Sequence, residues 1–312
     1  MKYYHGAGRR GPYFEGWYLK CQTRDGGALA LIPAVHQDQT GRRSASLQVL
    51  TENGAWWLEY PESALQASRE LFQIWLDGNL FNRKGIWLNV EGRGLSLHGA
   101  LQCGPFTPLK SDIMGPFRFL PGMECRHGVI SMGHTLEGAL TLNGAVLDFT
   151  GGTGYVETDR GRSFPSAYLW TQCAWREARC SSLMLSIAEI PMAGGRFTGC
   201  ICAVLYNGRE YRLATYRGAR VERWSAGGAQ IRQGIYRLEA EHLEGEAWPL
   251  RAPVEGGMGR TVRESLTACL RYRFWAGRTL LFEHTDRCAS FEYAGEERAP
   301  AAGGRGALEQ GN

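Results

Sequence analysis

Apolar and polar residues alternate one by one along most of this chain, in short runs that end at turn-forming residues. A period of two, rather than 3.6, predicts half-buried β-strands. In the first half such runs occupy residues 11–21, 28–35, 44–50, 55–60, 71–76, 86–91 and 95–103. In the second half they occupy 183–190, 197–206, 210–217, 220–225, 234–241, 247–251, 265–275 and 279–285. Asp77-Gly78, Asn143-Gly144 and Asn207-Gly208 punctuate the runs as hairpin signals, because both central residues of a type I′ turn need positive φ. Gly26-Gly27, Asn53-Gly54 and Lys84-Gly85 act as further breaks. The one helix-like candidate is 61–70, with a possible cap at Ser63. The pattern predicts an all-β chain of two antiparallel barrels or sandwiches packed side by side and meeting near Thr150. The expected units are 1–150 and 151–293, followed by a disordered Gly-, Ala- and Glu-rich tail at 294–312.

Two stretches depart from the simple meander. Residues 104–122 contain Pro105, Pro108, Pro116 and Pro121, each lacking the donor a central strand needs, so this segment reads as a lid or crossover. Residues 123–138 alternate again, but His127 and His134 fall on opposite parities. Their opposed faces and the lack of a third convergent ligand argue against a shared metal, and no metal site is expected.

The densest chemistry lies at 151–172, GGTGYVETDRGRSFPSAYLWTQ. As a strand it puts Tyr155, Glu157 and Asp159 on one face, with same-face neighbours roughly 7 Å apart. Two acids that close in a dry setting raise one another's pKa and supply a proton donor. The competing reading pairs them with Arg160 and Arg162, or leaves them solvated. Residues 11–21 alternate likewise, with Tyr13, Glu15 and Trp17 on one side and Phe14, Tyr18 and Lys20 on the other. Glu15 among aromatic rings demands Lys20, an arginine or a catalytic duty.

Composition narrows the field. The 312 residues carry 35 Lys+Arg against 31 Asp+Glu, net +4, and the charges are scattered rather than blocked. Nucleic-acid binding is not indicated, since the basic-aromatic run Arg271-Tyr272-Arg273-Phe274-Trp275 alternates as a strand does. No apolar run reaches the roughly 18 residues of a membrane span, and the first residues lack the apolar core of a signal peptide, so a cytoplasmic protein is expected. The nine cysteines show no paired CxxC spacing and are expected to be free, mostly as small core residues.

Longer phrases carry a resemblance: Phe14-Glu15-Gly16-Trp17-Tyr18 with Lys20, Met132-Gly133-His134, and Gly154-Tyr155-Val156-Glu157. Asp159, Gly161, Phe164, Pro165, Trp170 and Gln172 follow in order, with an echo at Glu264-Ser265-Leu266. In these the chain resembles the tocopherol cyclase family and, more distantly, carotenoid 1,2-hydratases of the hydroxyneurosporene synthase type. It departs at Thr158 and Arg160, where the family usually has lysine and tryptophan, and at Ala174, where an asparagine tends to stand. The resemblance implies two lipocalin-like β domains and cofactor-independent, acid-catalysed ring closure on a prenylated quinol or similar isoprenoid. Asp159 is then the expected proton donor, modulated by Glu157. Glu15, Trp17, His134, Tyr155, Arg162, Tyr168, Trp170 and Gln172 are the expected substrate-binding residues, and peripheral membrane contact would serve substrate loading. A non-catalytic carrier of an apolar ligand and a hydratase of isoprenoid double bonds stand as alternatives.

Overall fold

A computed structural model describes residues 2–120, 122–176, 180–192 and 195–295. Among them there is no α-helix, and the chain forms two large antiparallel sheets. The first contains β1 (Tyr13–Gln22), β2 (Ala28–Gln37), β3 (Arg43–Thr51), β4 (Gly54–Pro61), β5 (Leu65–Ala67), β6 (Gln73–Leu76), β7 (Asn79–Asn82), β8 (Gly85–Gly92), β9 (Leu95–Cys103), β10 (Cys125–Leu142), β11 (Ala145–Asp148) and β12 (Gly152–Gly161). The second contains β13 (Tyr168–Arg176), β14 (Cys180–Met192), β15 (Gly195–Tyr206), β16 (Arg209–Ala214), β17 (Arg220–Ser225), β18 (Gly228–Gln233), β19 (Tyr236–Glu244), β20 (Trp248–Val254), β21 (Gly257–Ala276) and β22 (Thr279–Ala294).

Both sheets follow one plan. The first and last strands of each half pair with each other, β1 with β12 and β13 with β22. The edge strands of each sheet are consecutive in sequence, β4 with β5 and β16 with β17, joined by the 3-10 turns Glu62–Ala64 and Thr215–Arg217. Each sheet therefore curls until its edges approach, but no ladder joins them. Neither is the closed barrel that alone abolishes edges.

Local chemistry explains the turns. Asp77-Gly78, Asn143-Gly144 and Asn207-Gly208 all have positive φ at both residues, as their sequence demanded. Arg93-Gly94 and Glu255-Gly256 adopt the same conformation without an Asn or Asp to announce it. The helix candidate at 61–70 is not a helix. Its first residues form the 3-10 turn, and Leu65 and Ala67 then pair with Leu76 and Ile74 of β6, so strand pairing overrides a weak local signal.

The sheet change also differs from the expected break at Thr150. The strand β12 lies inside the first sheet, between β1 and β10, and the chain crosses over between Gly161 and Tyr168. The expected disordered tail lies outside the described residues apart from its first two positions.

Three apolar clusters follow. Trp17, Leu29, Leu47, Phe81 and Phe149 fill the concave side of the first sheet, and Leu185, Cys202, Tyr272 and Phe274 fill that of the second. Tyr18, Leu50, Met114, Met132, Tyr168, Trp170 and Leu266 belong to a third cluster, which packs the sheets together. At about 25 cal/mol per Å² of buried apolar surface, such an interface holds two sheets without covalent links. Gln48 reinforces it by exchanging two hydrogen bonds with the Arg251 backbone, at 3.0 and 2.7 Å. No described helix is long and apolar enough to cross a membrane.

The described part of the Pro-rich segment, 104–120, runs across to the second sheet. Arg212 donates to the carbonyls of Ser111 and Asp112 at 3.1 and 3.0 Å, and the Tyr216 hydroxyl donates to Ile113 O at 2.9 Å. Its expected role as a crossover cover is the one it fills, since Met114 and Phe117 wall a cavity beneath it.

Candidate functional site

Between the sheets lies a cavity of about 180 Å³. Its walls are mainly apolar, with Phe14, Met114, Met123, Phe164, Ile201 and Leu250 among them. Into this setting project four carboxylates, Glu157, Asp159, Glu264 and Glu292, together with His127.

The acidic strand behaves as its alternation predicted. Tyr155, Glu157 and Asp159 share a face of β12, and Tyr155 OH donates to Glu157 Oε2 at 2.5 Å. Across the ladder His127 is the direct partner of Asp159 and Val129 that of Glu157, which brings the imidazole between the two acids. His127 Nδ1 lies 3.0 Å from Asp159 Oδ1 in a hydrogen bond. Its Nε2 lies 3.2 Å from Glu157 Oε2, within ion-pair range but without hydrogen-bond alignment. Burial disfavours the imidazolium, yet the two flanking carboxylates outweigh it and hold the His127 pKa well above the usual value. Burial raises the Glu157 pKa, Asp159 adds to the rise, and His127 opposes it.

The opposite wall carries the second acid pair. Glu264 of β21 and Glu292 of β22 are direct cross-strand partners, 2 % and 8 % exposed. Tyr18 donates to Glu264 Oε1 at 2.5 Å and lies 3.0 Å from Ser290 Oγ, while Tyr168 donates to Glu292. Burial lifts the Glu264 pKa well above the carboxylate range, and the neighbouring Glu292 lifts it further. Glu292 is pushed up to about 7, first by burial and then by Asp159 and Glu157, against the Tyr168 hydrogen bond. Two carboxylates this close in a dry site do not both ionise readily, so the pair holds a proton near neutral pH.

Of the residues expected from sequence, Glu157, Asp159, Tyr168 and Trp170 meet at this cavity. Tyr155 stands behind Glu157, and the rest lie elsewhere. Glu15 is fully buried but bonded to His5 N and Nδ1 and to Tyr13 OH, each at 2.8 Å, so neither Lys20 nor an arginine accounts for it. Trp17 belongs to the first sheet's own core and donates to Tyr3 O at 3.2 Å. His134 stacks on Phe106 with centroids 4.3 Å apart, and Gly154 is opposite because any Cβ there would overlap the His134 ring. Arg162 pairs with Glu255 at 3.0 Å and Glu124 at 3.5 Å, not with Glu157 or Asp159. Gln172 is buried in the second sheet away from the cavity lining.

The sequence reading passed over three groups. Alternation presents His127 only as a possible metal ligand with His134, and the two do lie on opposite faces. Its ligand atoms and those of Glu157 and Asp159 nevertheless fall within 4.8 Å of one another, a group able to hold a cation only by displacing the imidazolium proton. Glu264 was visible as an echo of a longer phrase, and Glu292 had no local signal at all.

Comparison with known proteins gives the family. A search of curated proteins finds no match by sequence. Among solved structures, CghA, also crystallised with Sch210972, aligns with a TM-score of 0.58 at 11% identity, over 91% of this chain and 88% of that one. Kievitone hydratase from Nectria haematococca aligns at 0.51 and 9% identity, over 91% and 89%. A Nitrosomonas europaea protein described as a candidate AttH aligns at 0.53 and 12% identity, over 90% and 92%. At such identities these likenesses establish a shared fold. The family model described as tocopherol cyclase-like matches residues 108–295, well over half the chain, and this chain therefore belongs to the tocopherol cyclase-like family.

Proposed function

We propose that this protein protonates a carbon–carbon double bond of a prenylated quinol or similar isoprenoid and closes a ring on the resulting cation. The observation that carries the reading is the Glu264–Glu292 pair, a proton reservoir poised near neutrality in an apolar cavity. Family membership agrees with it. In this reading Glu292 gives its proton to one alkene carbon, leaving a tertiary cation on the other. The π faces of Tyr168 and Trp170 on the cavity wall offer ~0.5–2 kcal/mol each to such a cation. The phenol oxygen attacks, a carbon–oxygen bond forms, and the phenolic proton returns to a carboxylate, Glu292 itself or Asp159. Atoms and electrons balance without a co-reactant.

Asp159, the donor expected from sequence, already accepts from His127, with Cys125 Sγ 3.4 Å away. It suits the receiving or orienting role better than the donating one. The cavity volume of about 180 Å³ is close to that of cavities of about 150 Å³ that hold benzene. It accommodates a reacting ring, while a prenyl tail would extend outward past Met114 and Phe117. Phe119, 73% exposed on the same crossover, would rest on a lipid surface during loading.

The test is product analysis after incubation with a prenylated quinol. A product of unchanged mass carrying a chromanol ring supports the reading, and a product heavier by one water would reassign it to hydration. Substrate bound and recovered unchanged across the pH range would make the protein a carrier and sink the proposal.

A further inference from the structure

We propose that the tip of the crossover, Arg118-Phe119-Leu120, together with Arg9, Arg126 and Arg160, docks on a membrane surface rich in anionic headgroups. This names the partner for substrate loading, and in that respect it rests on the reading of the cavity as an isoprenoid site.

Phe119 and Leu120 are 73% and 38% exposed, although Phe117 before them and Met123 after them wall the cavity. Two large apolar side chains held in water beside an apolar cavity mark a contact surface. Their surroundings are basic. The Arg118 guanidinium lies over the Phe119 ring, 4.5 Å from its centre, and Arg126 donates to the carbonyls of Arg118 and Leu120 at 3.4 and 3.2 Å. Arg126 and Arg160 are direct cross-strand partners on β10 and β12, where like charges repel. Arg9, 5.0 Å from the centre of the Tyr13 ring, joins them: burial lowers the Arg126 pKa, and the neighbouring Arg160 and Arg9 lower it further.

Among the described residues no carboxylate lies within ion-pair distance of Arg9, Arg126 or Arg160. The acids around them are engaged elsewhere. Glu15, the cross-strand partner of Arg160, gives its oxygens to His5 and Tyr13, Glu124 pairs with Arg162, and Asp112 stands 3.6 Å from Arg118. Unpaired guanidiniums attract phosphate-bearing headgroups, while Phe119 and Leu120 enter the boundary of the acyl chains. A small soluble anion would satisfy the arginines but leave both apolar side chains in water.

Sedimentation of the full chain with vesicles tests this, using phosphatidylcholine alone and an equal mixture of phosphatidylcholine and phosphatidylglycerol. Binding to the mixture should exceed binding to phosphatidylcholine and fall as salt is raised, since screening shortens the reach of the charges. Arg126→Gln with Arg160→Gln should weaken binding to the mixture about 25-fold, and Arg9→Gln, at an exposed site, about fivefold. Phe119→Ser should weaken binding to both vesicles. Equal binding to the two compositions, binding to neither, or binding indifferent to these variants overturns the proposal. So does a dimer that Phe119→Ser dissociates, which would give the patch to a second copy of the chain. Turnover of a prenylated quinol dispersed in detergent separates the two readings: ring closure there without vesicle binding sinks the docking surface alone, and vesicle binding without ring closure upholds docking and sinks the reading of the cavity.

Discussion

Glu264 and Glu292 oppose each other across neighbouring antiparallel strands, and each is held by a tyrosine hydroxyl, Tyr18 from the first sheet and Tyr168 from the second. Like charges directly opposite on a ladder destabilise it unless one is neutralised. Protonation is the neutralisation that this cavity permits. Glu292→Gln should therefore reduce turnover of a prenylated quinol by about 10²–10⁴-fold, the usual worth of a general acid. Full turnover in that variant would remove Glu292 from the mechanism.

Activity should fall as pH rises through about 7, where Glu292 loses its proton. Asp159→Asn removes a negative charge that raises the Glu292 pKa, so it should lower that pKa and move the fall to lower pH. A pH–rate profile for the two proteins checks both sign and cause.

Stability should follow the same titration. A carboxyl whose folded pKa is raised contributes stability that is complete below about pH 4 and lost as pH rises through its folded value. His127 and Glu157, also raised, act in the same direction. Melting temperature should decline between about pH 5 and pH 8, and Glu292→Gln should flatten the decline. A profile rising over this range would show that the buried acids are ionised.

Removing His127 exposes what it neutralises. His127→Gln leaves Glu157 and Asp159 facing each other without the imidazolium, and breaking a buried ion pair costs about 3–5 kcal/mol. Asp159→Asn removes one of the two acids and should cost less, with a smaller loss of turnover than Glu292→Gln. Denaturant titrations rank the two variants in stability, and a larger loss of turnover in Asp159→Asn than in Glu292→Gln would place the proton donor at Asp159.

One side chain makes two of the hydrogen bonds that tie the crossover to the second sheet. Arg212, 3% exposed and paired with Glu210 at 2.9 Å, also binds the Ser111 and Asp112 carbonyls. Arg212→Met should release residues 104–122, seen as faster proteolytic cleavage there. Unchanged cleavage would assign the hold to Tyr216 and the Lys110–Glu210 contact.

Alternation along each strand determined the all-β class, the hairpins at Asn143-Gly144 and Asn207-Gly208, and the shared face of Tyr155, Glu157 and Asp159, because these depend on dihedral preference and a two-residue period. The proline count likewise marked 104–122 as a cover. Tertiary structure decided which strands meet. Pairing of β12 with β10 set His127 between the acids, and pairing of β21 with β22 joined Glu264 to Glu292. Tyr18 reaches its acid from 246 positions away in sequence. Glu15, Trp17 and His134 share motifs with cavity residues, yet a strand sends alternate side chains to opposite faces, and theirs turn into the first sheet's own interior. A one-dimensional pattern records the alternation but not which face will meet the other sheet, since that depends on register and on the packing of two curled sheets.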